Sequence, residues 1–275
     1  MKVALIDNGS LEPAAHRNLR AVASQLSDRA GIHVTAVSWK HSDRVPPDAL
    51  GGERAWTLSS FIRERTAQGE REFVFVPFFI SAQGAIGSAL RIDLEKLQRE
   101  LGGFEFSFSD GLAARDALVP ILVDRIRVMI AVHNLHHPSV VVVDHGGPSA
   151  VSASLRNEVV AHVRRILGIE VGRIEAASME GEDCAHNRPI LKELLNTPPF
   201  ERGDVVIAPL FMAAGRHAGV EGDLARAASA AASQSADPTL KYHFADLIGT
   251  HPRVVEILTP ALHDTLSSLH VHPFA

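Results

Sequence analysis

The sequence predicts an α/β protein with two tandem, four-stranded parallel sheets and helices on both faces of each sheet. Short and almost wholly apolar runs, such as Val140 to Val143, alternate with longer stretches of helical periodicity. The alternation starts again after residue 138, and short motifs recur in the same order in both parts. Strands this apolar, each followed by a helix, are typical of parallel sheets that are covered on both faces.

In the first part of the chain, apolar runs predict strands at 3–6, 32–39, 73–76 and 104–108. Helical patterns predict helices at 13–26, 53–66, 88–101 and 114–132. The turn at 7–10 ends the first strand, and Pro13 suits the first turn of the helix that follows because its missing N–H would have no partner there.

The second part repeats this order. Strands are predicted at 140–143, 171–177, 205–208 and 242–246, the last of them weak. Helices are predicted at 149–167, 189–196, 221–233 and 252–269. A linker from His133 to Pro138 would divide the chain into an N-terminal half, 1–136, and a C-terminal half, 137–275.

The two halves also match in sequence, which indicates a duplicated domain. Asp-Asn-Gly-Ser at 7–10 pairs with Asp-His-Gly-Gly at 144–147, an offset of 137 residues. The segment at 76–82 pairs with the segment at 208–214, an offset of 132 residues. The period is far too long for a solenoid repeat. We expect the halves to form a pseudo-twofold unit that functions as a monomer.

The amino-acid composition limits the classes of function that the protein can have. Lys and Arg number 27 against 32 Asp and Glu, a net charge of −5, which argues against a nucleic-acid partner. No apolar stretch is long enough to span a membrane, and the apolar run before Asp7 is too short for a signal peptide. The single Cys184 excludes an intramolecular disulfide framework. We expect a cytoplasmic protein, and its 15 His suggest a metal hypothesis.

Two His follow predicted strands of the second half. Ligands bind outside the carboxyl ends of strands in open parallel sheets, and His145 and His217 follow the first and third strands there. Imidazole binds Co, Ni, Fe and Zn and also accepts a proton near neutral pH. In the first half the matching positions hold Asn8 and Ala85, which can do neither. Alternatively, each His only makes hydrogen bonds at a strand end. The turn around His145 lacks the longer glycine fingerprint of a nucleotide site, so no nucleotide is expected.

These motifs resemble the class II tetrapyrrole chelatases, meaning the sirohydrochlorin cobaltochelatases and ferrochelatases. That family has a His-Gly-Ser motif after its first strand, and further on Pro-Leu-Phe-Leu, small residues, Gly-x-His and an acidic residue. Here 143–148 and 209–217 fit both motifs, with His145 and His217 separated by 72 residues, although Gly147 replaces the Ser. The resemblance covers nearly the whole chain as two fused copies and implies the family's chelatase-like, flavodoxin-like fold.

The resemblance implies insertion of a divalent metal into a tetrapyrrole such as sirohydrochlorin, without ATP. The metal would be a substrate: Co²⁺ or Fe²⁺, with Ni²⁺ and Zn²⁺ as further candidates. His145 and His217 would bind the ion or accept pyrrole protons, and Glu180 would supply a carboxylate. The rival carboxylates are Glu175, Glu182 and Asp183. Two alternatives stay open: a non-catalytic tetrapyrrole- or metal-binding protein, and an unrelated hydrolase or isomerase with His145 as its base.

Two arginines are secondary candidates. Arg20 and Arg216 could meet the acidic side chains of a tetrapyrrole, but an Arg on a solvated face is the more common outcome. Cys184, with His186 nearby, has no assisting pattern around it and is expected to be inert.

Overall fold

The computed structural model describes residues 1–80, 85–219 and 221–271. The chain divides into two compact units. The first comprises Met1–Ala117 with the C-terminal segment from Pro252, and the second comprises Leu118–His251. Among the described residues, no helix has the length and apolar character needed to cross a membrane.

Strands and helices alternate along the chain. The strands are β1 (Lys2–Asp7), β2 (Val34–Ser38), β3 (Trp56–Thr57), β4 (Glu72–Pro77), β5 (Glu105–Phe108), β6 (Ser139–Asp144), β7 (Ile174–Ser178), β8 (Asp204–Pro209) and β9 (Lys241–Phe244). The helices are α1 (Pro13–Ala30), α2 (Leu58–Ala67), α3 (Ala85–Glu100), α4 (Leu118–His133), α5 (Ala150–Leu167), α6 (Leu191–Leu194), α7 (Asp223–Gln234) and α8 (Arg253–Val271).

The first unit contains a five-stranded parallel sheet in the order β3-β2-β1-β4-β5. The central strand β1 is buried from Val3 to Ile6, as its apolar sequence requires, and its last residue, Asp7, is buried as well. At its carboxyl end, Asp7 lies beside Ser38 of β2. Helix α1 packs against both β2 and α8.

The second unit contains a four-stranded parallel sheet in the order β7-β6-β8-β9. This repeats the order β2-β1-β4-β5 of the first unit. Val140 to Val143 of β6 are fully buried, and at the end of this strand Asp144 lies beside Ser178 of β7. The predicted α/β class with parallel sheets is confirmed.

The first sheet has a fifth strand that the sequence did not predict. Trp56 and Thr57 form the edge strand β3 inside the helix predicted at 53–66. The helix begins only at Leu58, because the Thr57 side chain accepts a hydrogen bond from the Ser60 amide and caps it. The expectation of four strands in this half was therefore wrong by one.

The predicted boundary at residues 136 and 137 differs from the division of the structure. Helix α4 lies in the second unit, where it packs against α5 and β8. In this helix, Oδ2 of Asp124 lies 2.9 Å from Nε2 of His251, and the Arg125 guanidinium donates to the Leu247 carbonyl at 3.1 Å. Helix α8 lies instead in the first unit. Such long-range pairing of helices does not follow from the order of elements in the sequence.

Candidate metal centre

Three loops that follow neighbouring strands supply the candidate residues. His145 follows β6, Glu180 lies two residues beyond β7, and His217 lies in the loop between β8 and α7. Because β6 pairs with both β7 and β8, and all three strands run parallel, these loops leave the sheet at the same edge. The order of the strands thus brings together residues that are far apart in the chain.

Gly146 allows the first two loops to lie side by side. The amide of Glu180 donates to the His145 carbonyl at 3.1 Å, and the amide of Met179 donates to the Asp144 carbonyl at 2.9 Å. Gly146 has a φ of +82°, and a Cβ there would overlap the Glu180 carbonyl oxygen. Glycine is required at this position by both the positive φ and the close approach.

Two imidazoles and one carboxylate converge at this edge. The Nε2 atoms of His145 and His217 lie 3.0 Å apart, and Nε2 of His217 lies 3.4 Å from Oε1 of Glu180. One ligand atom from each of the three residues lies within 4.8 Å of the others. Ligand atoms about 2.0–2.1 Å from one ion lie about 3.0–3.4 Å apart. A single divalent ion therefore fits this group with small side-chain adjustments.

Exposure differs between the two imidazoles. His145 is exposed, whereas only 11% of the His217 side chain is exposed. The Phe211 ring lies nearly parallel to that of His217, with 14° between the planes and 6.3 Å between the centroids. The site thus has a packed side at His217 and an open side at His145.

Asp223, in the first turn of α7, lies behind His217. Its Oδ2 is 2.7 Å from Nδ1 of His217. The backbone fixes this pair, since the Leu224 amide donates to the His217 carbonyl at 3.0 Å. A carboxylate beside Nδ1 favours the tautomer with its proton there. The Nε2 lone pair then faces His145 and Glu180.

Burial, followed by the nearby His145, lowers the pKa of His217. The carboxylates of Glu180 and Asp223 oppose this shift. A lowered pKa keeps His217 neutral at about pH 7. The neutral form is the one that binds a metal ion or accepts a proton.

Arg216 spans the two carboxylates of the site. Its guanidinium contacts the Glu180 carboxylate, its Nη2 lies 3.2 Å from Nε2 of His217, and its Nε lies 3.6 Å from Oδ2 of Asp223. The side chain is 65% exposed, as expected of an Arg on a solvated face. Its pairing with the candidate ligand Glu180 was not predicted from the sequence.

Arg156 is a buried residue that holds together the strand ends and a loop next to the site. It is 1% exposed, and its guanidinium contacts Asp144 at 3.2 Å, Ser178 Oγ, and the His186 carbonyl at 3.0 Å. These contacts join the ends of β6 and β7 to the loop that follows β7. Sequence reasoning missed this residue, although it occupies a position on the apolar face of α5 between Ala153 and Val159.

The rival carboxylates have other surroundings. Glu175 pairs with Arg164 and Arg173, and Glu182 pairs with Lys192 at 2.8 Å. Within the part of the chain that the structure describes, the converging group includes Glu180 and none of the three rivals.

The equivalent edge of the first unit has different chemistry. The Trp39 amide donates to the Asp7 carbonyl at 2.8 Å and the Lys40 amide to the Asn8 carbonyl at 3.4 Å, the same pattern that joins His145 to Glu180. Asn8 therefore occupies the position of His145, and Lys40 that of Glu180. Ala85 begins α3, and the preceding residues 81–84 lie outside the described residues. A cationic side chain in place of the carboxylate disfavours a divalent ion.

A family model named CbiX matches residues 139–265, a span that contains His145, Glu180 and His217. A comparison with curated proteins found no significant match.

Solved chelatase structures match nearly the whole chain. SirB from Bacillus subtilis with Fe³⁺ is 13% identical, with a TM-score of 0.68 over 99% of this chain and 98% of that one. The sirohydrochlorin chelatase SirB from Bacillus subtilis subspecies spizizenii, in complex with cobalt, is 14% identical, with a TM-score of 0.65 over the same shares. CbiX, described as the terminal enzyme for siroheme biosynthesis in denitrifying bacteria, is 14% identical, with a TM-score of 0.63 over 96% of this chain and 99% of that one. The chain therefore has the fold of these proteins, as the resemblance in sequence implied.

Proposed function

We propose that the second unit inserts a divalent metal ion, Co²⁺ or Fe²⁺, into a tetrapyrrole such as sirohydrochlorin, without ATP. The observation that carries this proposal is the convergence of His145, His217 and Glu180 within 4.8 Å. The CbiX family match over the same residues supports it, as do chelatases of the same fold solved with iron and with cobalt.

The three residues would hold the ion before its transfer. Two neutral imidazole nitrogens and one carboxylate form a donor set that suits Co²⁺ and Fe²⁺, and also Ni²⁺ and Zn²⁺. Glu180 offsets part of the charge of the ion. Three protein ligands leave coordination positions open, and the exposure of His145 places the open side toward solvent. Pyrrole nitrogens of an incoming macrocycle would take up these positions.

The same imidazoles would accept protons. The macrocycle must lose two N–H protons as the ion enters, and a neutral His is a suitable base near pH 7. Ligation and proton acceptance use the same Nε2 lone pair, so each His accepts a proton only after releasing the ion. Asp223 beside Nδ1 would stabilise the imidazolium that forms on His217.

We further propose that the chain arose by duplication and kept one working metal centre. Both sheets share the order of four strands, and the edge of the first unit carries Asn8 and Lys40 where the second carries His145 and Glu180. All three proposed ligands lie in one unit, so the metal centre needs one chain only.

The test is an anaerobic absorption assay with metal-free sirohydrochlorin in large excess over the protein and with Co²⁺ or Fe²⁺. We expect insertion faster than the uncatalysed reaction and many turnovers per chain. The control is His162→Ala, which changes an exposed His of α5 and should behave as the wild type. A spectral change limited to one equivalent per chain would instead indicate a non-catalytic tetrapyrrole-binding protein, and no acceleration would contradict the proposal.

A further inference from the structure

Arg216 makes three contacts within the proposed metal centre. It is bound to the Glu180 carboxylate, its Nη2 is 3.2 Å from the metal-facing Nε2 of His217, and its Nε is 3.6 Å from Asp223. In a site built to receive a cation, a cationic side chain already occupies the carboxylate. A bound ion and the guanidinium cannot both occupy the space between Oε1 of Glu180 and Nε2 of His217.

From these contacts we infer that Arg216 is an internal counter-cation that competes with the metal ion for Glu180. This inference rests on the proposed function. Without the ion, Arg216 neutralises Glu180; when the ion binds, the guanidinium leaves that carboxylate; when the ion passes to its acceptor, Arg216 returns. The competition weakens binding of the ion and thereby favours its release, which a protein that transfers its metal requires.

The structure provides a second position for the displaced side chain. Asp223 binds Arg226 through its Oδ1, while its Oδ2 lies beside Nδ1 of His217 and is already 3.6 Å from Arg216 Nε. Rotation of the long and 65% exposed Arg side chain toward Asp223 would clear the metal position without burying the charge. The exposed Arg173 makes a useful comparison, because it pairs with Glu175 and is also 65% exposed but lies outside the converging ligand group.

The test measures the Kd for Co²⁺ by calorimetry in the wild type, Arg216→Gln, Arg216→Lys and the matched control Arg173→Gln. We expect Arg216→Gln to bind Co²⁺ about three- to tenfold more tightly, from the size of such charge interactions near a protein surface. Arg216→Lys keeps the charge and should stay near the wild type, as should Arg173→Gln. Stopped-flow transfer of Co²⁺ to a chelator such as EDTA should slow in Arg216→Gln by a similar factor.

A double-mutant cycle tests the competition itself. In the Glu180→Gln background, the carboxylate is gone, so Arg216→Gln should tighten binding much less. An equal gain in Co²⁺ affinity in both backgrounds would show that Arg216 only repels the ion through its charge, and would overturn the inference. If Glu180→Gln binds too weakly to titrate, Arg216→Lys decides, because binding as tight as that of Arg216→Gln would also overturn it.

The failure of this inference can be told apart from that of the proposed function. If His217→Ala abolishes Co²⁺ binding while Arg216→Gln leaves the Kd unchanged, only the counter-cation role is lost. If the wild type binds no Co²⁺, or if His217→Ala binds as the wild type does, the metal centre itself is contradicted, and the counter-cation role with it.

Discussion

His145 Nε2 and His217 Nε2 lie 3.0 Å apart, although 72 positions separate the two residues in the chain. Their rings are nearly perpendicular, with 89° between the planes and 4.5 Å between the centroids. Two imidazoles this close can share one proton, but two imidazolium ions would repel each other. This repulsion contributes to the lowered pKa of His217 and favours its neutral imidazole, the form that can bind a cation.

The first prediction concerns pH. Burial and then His145 lower the pKa of His217, so its proton competes with the metal only at a pH below the ordinary imidazole value of about 6.5. The Kd for Co²⁺ should therefore be nearly constant from about pH 8 down to about pH 6.5, and rise below that value. Calorimetric titrations across this range measure it. A Kd that does not rise at any pH at which the protein stays folded would argue that no His binds the ion.

Asp223 affects the same dependence of the Co²⁺ Kd on pH. It raises the pKa of His217 and favours the tautomer that exposes Nε2, so Asp223→Asn should move the pH-dependent loss of Co²⁺ binding to lower pH. Affinity on the plateau should weaken by about tenfold or more, the usual effect of removing the carboxylate behind a metal-binding His. Asp183→Asn, an exposed acid in the loop after β7, is the control. Equal profiles for the two variants would remove Asp223 from this role.

Arg156 should be essential for stability. Removing its guanidinium in Arg156→Met leaves Asp144 and Ser178 without their cationic partner in a site where the Asp144 side chain is only 14% exposed. Breaking a buried ion pair in this way costs about 3–5 kcal/mol of unfolding free energy. Urea denaturation measures the loss, with Arg165→Met on the exposed face of the same helix as control. Equal stability of the two variants would contradict the structural role.

The buried Asp7 predicts how the free energy of unfolding depends on pH. Burial raises its pKa from 3.8 to about 6, against the lowering effects of Ser38 and His16. The folded state thus holds a proton more tightly than the unfolded state, and the stability that Asp7 contributes in acid is lost as the pH rises through about 6. Asp7→Asn keeps an acceptor for the Gly9 amide but carries no charge.

Relative to the wild type, Asp7→Asn should therefore gain about 2–3 kcal/mol of unfolding free energy between about pH 4 and about pH 8, at 1.36 kcal/mol per pKa unit. Urea titrations at the two pH values measure this difference. A gain that is the same at both values would show that the Asp7 charge is not the cause.

Much of the fold followed from local pattern. Runs such as Val140 to Val143 are apolar at every position, which is typical of a strand buried on both faces, and the structure confirms that this strand is buried. The rule that ligands lie beyond the carboxyl ends of parallel strands was enough to place His145, His217 and Glu180 at one edge. Their proposed role as metal ligands stays a prediction.

Other features depend on tertiary contacts that no local pattern encodes. The strand at Trp56 and Thr57 is too short to show a periodicity, and the assignment of α4 and α8 to their units depends on packing between distant segments. Two relationships at the sheet edges could not be predicted either: Lys40 takes the place of Glu180 in the first unit, and Arg216 pairs with Glu180 in the second. Each depends on which loops the fold brings side by side.

The most direct test of the central claim is the initial rate of Co²⁺ insertion into sirohydrochlorin, compared among the wild type, His145→Ala, His217→Ala and the surface control His162→Ala at equal protein concentration. Removing either ligand should lower the rate by at least about tenfold, since a lost ligand costs much more than a peripheral contact. The control should match the wild type. Wild-type rates in both ligand variants would contradict the account and leave His145 and His217 as residues that only stabilise the sheet edge.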